Sequence, residues 1–297
     1  ITFYKLCEKH DAVYIATGTQ FSNRVGVQGE ELEGVVHGLD FLRDSNLKRS
    51  VKVGKKVAVI GGGNTAIDAA RTALRLGAQE VTILYRRTIE DMPADEREVR
   101  EAVEEGVKII SLVAPVKILG RRKVSGIECV RMELKEFDSS GRRKPKPEKD
   151  SEFIIEADMV IPAVSQYSDL PFINKEEVEF TNWGTFVTNQ DTMMTKMKGV
   201  FAGGDVARGS DTAITAIADG KNAAKQIDIY LGGDGVLNTG EPIDIPAVRD
   251  EDEVVEHKRF DMEFLDPEYR KNNFEEVACG FHKLNAMMRQ EGLKWLI

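Results

Sequence analysis

The chain has 297 residues, 41% hydrophobic and 31% charged, which is typical of folded domains and enough for about two of them. Lysine and arginine number 41 against 50 aspartates and glutamates, and the resulting charge of −9 argues against general binding to nucleic acid or to anionic membranes. No apolar run approaches the ~20 residues of a membrane-spanning helix, so a membrane span is excluded.

The cysteines are few and widely spaced. Cys7, Cys129 and Cys279 are an odd number, too few for a four-cysteine iron–sulfur cluster and unsuited to a disulfide framework. The four histidines show no zinc-binding spacing. We therefore expect no metal site and a reducing, cytoplasmic compartment.

The first half of the chain alternates strands and helices. A β-branched run at 11–18 ends in a glycine turn, and residues 37–48 predict a short helix. The apolar run at 55–60 predicts a strand buried on both faces, followed by a helix over about 65–76. A second strand over 80–85 completes a βαβ unit of the expected size.

Further elements follow with weaker patterns. Pro93 is predicted to open an amphipathic helix through Glu105, with Val99, Ala102 and Val103 facing the core. Strands are expected within 107–137 and at 153–155, 159–161 and 200–202, with a charged hairpin tip at 138–150. A helix over 212–231 would bury Ile214, Ile217, Ala218, Ala224 and Ile227, before an extended tail at 233–273 and a short helix at 274–291.

A glycine-rich turn lies between the strand and the helix of the βαβ unit. Gly61 would permit the tight turn, Gly63 lacks a Cβ and would let the backbone approach a pyrophosphate, and Ala66 would let the helix lie close to the sheet. Asn64 and Thr65 begin the helix, whose positive end favours phosphate. The alternative is a glycine-rich turn without a ligand.

Two arginines follow the second strand, where a carboxylate would bind the ribose of NAD. Arg86 and Arg87 instead suit the 2′-phosphate of NADPH. The alternative is a solvated basic pair that Glu90 and Asp91 neutralise.

A third motif ends the strand near residue 200. Residues 199–205 read GVFAGGD, and a strand that ends in Gly204-Asp205 can place a carboxylate on a ribityl hydroxyl. The N-terminus of the next helix would face the electron-rich edge of a flavin. Alone, this turn is common, and it gains weight from the other motifs.

Several stretches together resemble one family. They are residues 14–19 (YIATGT), 59–68 (VIGGGNTAID), 85–87 (YRR), 92–94 (MPA), 199–205 and 216–220 (AIADG). In this order they resemble the NAD(P)H-dependent FAD oxidoreductases of the glutamate synthase small-subunit type, flavoproteins with two dinucleotide-binding domains. The resemblance extends over about residues 10–232.

The resemblance implies an α/β fold with a Rossmann-like NAD(P)H domain inserted in an FAD-binding α/β domain. The NAD(P)H domain would take residues 51–165, the FAD domain 1–50 and 166–232, and a C-terminal tail with a short helix 233–297. Hydride would pass from NADPH to FAD, and electrons onward to an iron–sulfur domain or subunit. No catalytic acid or base is assigned, because hydride transfer depends chiefly on positioning.

The resemblance also implies the flavin-side residues. Thr17 and Gly18 would line the FAD domain, Gly204 and Asp205 would bind the ribityl chain, and the segment Thr212, Ala213 and Ile214 would lie near the isoalloxazine. No second glycine fingerprint occurs in the 297 residues, so we expect an N-terminally truncated chain with an incomplete FAD domain. The alternative function is a nucleotide-binding or scaffold module of a larger electron-transfer complex, not catalytic alone.

Overall fold

The computed structural model describes residues 2–137, 141, 143–174, 176–237, 264–275 and 277–278. The described helices are α1 (Phe3–Lys9), α2 (Gly38–Asn46), α3 (Asn64–Arg75), α4 (Glu96–Glu104), α5 (Asp205–Arg208), α6 (Ala213–Tyr230) and α7 (Pro267–Arg270), with a 3-10 turn at Ile89–Asp91. The described strands are β1 (Val13–Ile15), β2 (Phe21–Ser22), β3 (Lys56–Ile60), β4 (Glu80–Tyr85), β5 (Lys108–Ser111), β6 (Val113–Gly120), β7 (Val124–Phe137), β8 (Arg143–Pro147), β9 (Phe153–Ile155), β10 (Met159–Pro162), β11 (Gln166–Tyr167) and β12 (Val200–Ala202).

The predicted βαβ unit forms the centre of a four-stranded parallel sheet. The strand order is β10-β3-β4-β5, with Val59 beside Ile83 and Ile161. All three side chains are fully buried, which is why this stretch of sequence is continuously apolar. Helix α3 packs on the sheet through small residues, among them Ala66 and Ala70, which let its axis approach closely.

A second, antiparallel sheet follows in the chain. Its order is β6-β7-β8, and β9 also pairs with β7. Along β7, Val130 and Met132 are buried and Arg131 is exposed, as the alternating sequence predicts. The adjacent Cys129 is fully buried, and burial raises the pKa of its thiol to about 12. Strand β8 lies inside the segment predicted as a hairpin tip, of which residues 138–140 and 142 lie outside the described residues.

The segments before residue 24 and after residue 165, called the flavin side after the expectation from the sequence, form two smaller sheets. Strand β1 pairs in parallel with β12, and β2 pairs with β11 in antiparallel fashion. A separate core gathers Phe3, Ile15, Phe186 and Val206 beneath these strands. Segments that precede and follow the first two sheets in the chain therefore pair with each other. Those first two sheets are called the nucleotide-side sheets, and the insertion of one domain into another stays a prediction.

Residues 25–46 pack against the nucleotide-side sheets, although the sequence assigned them to the FAD domain. Val35 forms a parallel bridge with Val160, and Gln28 forms one with Lys117. Phe41 on α2 is 1% exposed and belongs to the same core as α3. The boundary near residue 50 stays a prediction, and this packing favours an earlier one.

Helix α4 begins later than predicted. Asp95 is its N-cap, and the carboxylate accepts a hydrogen bond from the Arg97 amide at 2.9 Å. Pro93 lies before the helix because the neighbouring Ala94 amide donates to the Gly62 carbonyl at 3.2 Å and holds this segment over the glycine turn. Val103, predicted to face the core, is 51% exposed.

The predicted inner face of α6 is also wrong. Ile214 and Ile217 are 69% and 55% exposed, whereas the buried residues of the helix are Asp219 and Ala223. The described part of the flavin-side sheet has β1 and β12 alone, too narrow to cover the apolar face of an 18-residue helix. No described helix is long and apolar enough to cross a bilayer.

The C-terminal part also differs from the prediction. The short helix α7 lies within the segment expected to be an extended tail, capped by the Asp266 side chain. The helix predicted over 274–291 falls largely on residues 276 and 279–291, which lie outside the described residues.

Candidate dinucleotide-binding site

The glycine turn between β3 and α3 has the geometry that the sequence predicts. Gly61 has a φ of +147°, and a Cβ there would lie 2.2 Å from the Ala163 carbonyl oxygen, so only glycine fits. At Gly63 the nearest heavy atom to such a Cβ is Cγ of Pro93 at 4.0 Å, so the space above this glycine is open. Ala66 is fully buried against the sheet.

The N-terminus of α3 faces that open space. Gly63 is the N-cap residue and provides no side-chain cap, while its carbonyl accepts from the Ala66 amide at 2.9 Å. The first amides of a helix need partners from outside it, and phosphate oxygens are well matched to them. The Asn64 side chain has a structural role as well, because its Oδ1 accepts from the Asp95 amide at 3.0 Å.

Tyr85 supports the turn from below. A Cβ at Gly62 would lie 2.5 Å from the Tyr85 ring, so the second glycine is required by this side chain. The Tyr85 hydroxyl donates to the Asp91 carbonyl at 2.8 Å. The 85–94 segment therefore packs around the glycine turn, which gives the YRR and MPA stretches a structural reason to occur together with it.

The two arginines after β4 have different surroundings. Arg86 is exposed at the strand end. Arg87 is 4% exposed, and its Nε donates to the Arg143 carbonyl on β8 at 2.8 Å. The sequence predicted equal roles, whereas here Arg86 is the accessible one and Arg87 joins two elements.

The GGD turn after β12 is held by a buried carboxylate that the site prediction did not include. Asp219 on α6 accepts from the Gly204 amide at 2.8 Å and from two nitrogens of Arg208 at 2.6 Å each. The hydrogen bonds from Arg208 hold the pKa of Asp219 below its usual range. Gly204 has a φ of +67°, which favours glycine, and a Cβ at Gly203 would lie 2.3 Å from the Tyr14 hydroxyl. The signal for Asp219 was the AIADG stretch.

Asp205 lies at the end of this turn, near the first flavin-side segment. Its carboxylate accepts from the Thr19 hydroxyl at 3.4 Å and from the Asp211 amide at 3.3 Å. Gly18 has a φ of +68°, and its carbonyl accepts from the Ser168 hydroxyl. The carbonyl of Thr17 accepts from the Gln20 amide group. The carboxyl ends of the paired strands β1 and β12 therefore bring together Thr17, Gly18, Gly204 and Asp205.

The start of α6 completes this side. Thr212 is the N-cap, and its hydroxyl accepts from the Thr215 amide at 3.3 Å. Ala213 and Ile214 are exposed. Within the described residues this helix end is therefore accessible to a ligand, as the flavin-side prediction requires.

Gln166 connects the two sides and was not predicted. Its amide nitrogen donates to the Thr65 hydroxyl at 3.1 Å, and its amide oxygen accepts from the Thr19 hydroxyl at 3.2 Å and the Ser210 hydroxyl at 3.4 Å. The start of α3 and the Asp205 turn are therefore neighbours. No local sequence pattern marks this residue, because Gln166 and Thr19 are 147 positions apart.

The Rossmann-type glycine turn after β3 lies near a carboxylate, Asp205, that follows the end of β12. This combination is typical of the oxidoreductases with two dinucleotide-binding domains. The family model described as pyridine nucleotide-disulphide oxidoreductase matches residues 7–220, and the chain belongs to that family. The family match confirms the family resemblance, the fold class and the cofactor class (NADPH and FAD) predicted from the sequence.

Curated relatives are subunits of NADPH-linked enzymes. The chain is 46% identical over 235 residues to the NADP+-dependent formate dehydrogenase subunit beta of Moorella thermoacetica. It is 43% identical over 257 residues to the NADPH-Fe(3+) oxidoreductase subunit beta of Geobacter sulfurreducens, and 41% identical over 240 residues to the glutamate synthase (NADPH) small chain of Azospirillum brasilense. These matches take 76–78% of this chain but cover 33%, 38% and 50% of the relatives, so the chain spans a third to a half of their length.

Solved structures show the same fold. FprA from Mycobacterium tuberculosis in complex with NADPH superposes with a TM-score of 0.62 at 22% identity, over 78% of this chain and 66% of that one. The thioredoxin reductase of T. acidophilum gives a TM-score of 0.56 at 26% identity, over 74% of this chain and 65% of that one. The nucleotide-side and flavin-side sheets are thus the common framework of these enzymes.

Proposed function

We propose that this chain forms part of an NADPH-dependent FAD oxidoreductase that passes electrons to an iron–sulfur domain or subunit. The observation that carries the proposal is the closeness of the two half-sites. Thr65 at the α3 N-terminus and Asp205 after β12 are joined through Gln166 and Thr19 by hydrogen bonds of 3.1–3.4 Å. Two adjacent dinucleotide sites are what direct hydride transfer requires.

On the nucleotide side, the chain supplies binding and orientation. The open backbone at Gly63 and the amides at the start of α3 would hold the pyrophosphate of NADPH. The exposed Arg86 would contact the 2′-phosphate, and Arg87 would help to place the strand end that carries it.

On the flavin side, Asp205 would accept a hydrogen bond from a ribityl hydroxyl, and Thr17 and Gly18 would line the same edge. The N-terminus of α6, at Thr212–Ile214, would place its positive end beside the isoalloxazine. The bound cofactors supply the hydride chemistry, and the side chains named here orient them.

The partner is proposed from the relatives. The subunit names and the Fe(3+) acceptor in one of them support onward transfer from the flavin within a multi-subunit complex. An iron–sulfur domain or subunit is the proposed acceptor, and the cytoplasm is the proposed compartment.

The experiment is anaerobic titration of the purified protein with NADPH after incubation with FAD. The protein should retain FAD and show the visible absorption of oxidised flavin, which should bleach on stoichiometric addition of NADPH. Asp205→Asn should weaken FAD retention. A colourless protein that still binds NADPH would favour the alternative, a nucleotide-binding module without catalysis of its own.

A further inference from the structure

The side chain of Gln166 lies between the two proposed cofactor sites, at the place where the chain leaves the nucleotide-side sheet. It follows β10 closely and begins β11, whose residues pair with Ser22 and Phe21 of β2. A single amide thus contacts the start of α3 on one side and the Asp205 turn on the other.

The contacts form a continuous polar chain. Thr65 Oγ1 accepts from Gln166 Nε2 at 3.1 Å. Thr19 Oγ1 lies 3.2 Å from Gln166 Oε1 and 3.4 Å from Asp205 Oδ2, and its single hydrogen is donated to one of these two acceptors at a time. Ser210 lies 3.3 Å from the Thr19 hydroxyl and donates to Gln166 at 3.4 Å. The hydroxyls of Thr65, Thr19 and Ser210 can rotate, so a new hydrogen-bond partner for one of them changes which hydrogen bonds its neighbours form.

From this geometry we infer that Gln166 is a positioning residue that couples nucleotide binding to the order of the flavin-side turn. The inference rests on the proposed function. A phosphate at the start of α3 would accept the hydrogen of the Thr65 hydroxyl, and Thr65 Oγ1 would keep accepting from Gln166 Nε2 in one fixed orientation. The amide is then held in place, so its oxygen fixes the partners of Thr19 and Ser210, and through Thr19 the ordering reaches Asp205. Binding linkage makes the effect reciprocal, so FAD at Asp205 also changes nucleotide affinity.

The amide is suited to this task because it carries a donor and an acceptor on one rigid group. Replacement by leucine keeps a similar volume and removes both. Replacement of Thr19 by valine removes only the flavin-side donor, whereas Thr19→Ser retains it and serves as the matched control.

The test is amide hydrogen exchange of the whole chain, with and without NADP+ at a concentration that saturates each variant. In the wild type, NADP+ should slow exchange at residues 61–66, and also at residues 17–23 and 203–211 by about threefold or more. In Gln166→Leu and Thr19→Val the slowing should remain at 61–66 and disappear at 203–211, while Thr19→Ser should behave as wild type. A purely structural role would raise exchange without ligand but leave the ligand-dependent difference.

Two outcomes overturn the inference separately. If Gln166→Leu keeps the wild-type response at 203–211, or if the wild type shows none there, coupling through Gln166 is wrong while the nucleotide site stands. If NADP+ fails to slow exchange at 61–66 in the wild type, the proposed nucleotide site itself is wrong, and the coupling fails with it.

Discussion

The accessible guanidinium at the end of β4 belongs to Arg86, and under the proposed function it should favour NADPH over NADH. A hydrogen bond to a charged group contributes about 1.5–3 kcal/mol, and solvent reduces this value at an exposed position. Arg87 is buried and bonded to the Arg143 carbonyl, so its removal should affect folding as well as binding.

We therefore expect Arg86→Ala to weaken NADPH binding about tenfold and to leave NADH binding unchanged. Dissociation constants for both nucleotides provide the measurement. Arg49→Ala is the control, since Arg49 is an exposed arginine that pairs with Asp44 at 2.6 Å. Equal affinities of the wild type for NADPH and NADH would contradict the assignment and leave Arg86 as a solvated residue at the strand end.

Asp219 gives the second residue-scale prediction. Its pKa is lowered in the folded state by the hydrogen bonds from Arg208, so its contribution to stability is present above the unfolded pKa of about 3.9. That contribution is lost as the pH falls through the lower, folded value. Asp219→Asn should destabilise the protein by about 1–3 kcal/mol at pH 7 and should flatten the loss of stability below about pH 4.

Urea denaturation at pH 7 and at several acidic pH values measures both effects. Asp211→Asn is the control, because Asp211 is an exposed carboxylate on the same side of the molecule. An unchanged slope of stability against acidic pH in Asp219→Asn would contradict the assigned role.

Local motifs made part of this site predictable. The tight turn and the close helix packing that require Gly61, Gly63 and Ala66 lie within one short segment, so the spacing of these residues identifies them. Asp219 belongs to the AIADG stretch, but its buried contact with the Gly204 amide was not predicted. Gln166 acts through contacts that the fold brings together from distant positions, and no local pattern marks them. Burial decides the difference between Arg86 and Arg87, and it depends on β8, more than fifty positions away.

At the scale of elements, α3, α4 and α7 meet around one buried carboxylate. Glu105 follows α4 and its side chain has no exposed surface. It accepts from Arg71 at 2.6 Å and from Arg75 at 3.0 Å, and Arg270 of α7 lies 3.9 Å away. Three guanidinium groups from two helices thus surround one carboxylate, which holds α7 against α3 and α4.

Removing this negative charge should be costly, because it takes a buried carboxylate partner from Arg71 and Arg75 and leaves Glu101 as the buried partner of Arg71. We expect Glu105→Gln to lower the free energy of unfolding by about 3 kcal/mol. Glu104→Gln provides the matched control, since Glu104 bonds Arg270 at 2.7 Å but its side chain is 55% exposed. That change should cost under about 1 kcal/mol. Similar losses in the two variants, measured by urea denaturation, would show that Glu105 is not the centre of the cluster.

Element types were predicted better than element faces. Helices α3 and α6 and strands β3 and β4 lie close to their predicted limits, because apolar periodicity and glycine punctuation are local signals. The buried side of α6 was predicted from its apolar residues, yet in the described residues the nearby partner is the polar turn at Gly204, which buries Asp219. A face is determined by what packs against it, and the helix sequence alone does not contain that information.

At the scale of the whole molecule, the chain passes onto the nucleotide-side sheets before their first strand begins. Val25, Val27 and Val35 pack on the core of β7 and β10, while Phe41 joins the core of α3. A boundary placed by sequence at residue 50 follows the start of the βαβ pattern. Packing of the preceding segment depends on contacts with residues such as Lys117 and Val160, which no local pattern reveals.

The last prediction concerns the nucleotide-side unit in isolation. Residues 51–165 contain every strand of the four-stranded parallel sheet and of the β6-β7-β8 sheet, so this segment should unfold cooperatively. Residues 24–165 should be more stable by about 3 kcal/mol or more, because they add the fully buried Phe41 and the valines before it.

Urea denaturation of both segments measures the difference, and Phe41→Ala within 24–165 should remove most of it, because it deletes a buried aromatic side chain. Equal stabilities would place residues 24–50 with the flavin side, as the sequence alone suggests, and a disordered 51–165 segment would show that neither boundary encloses an independent domain.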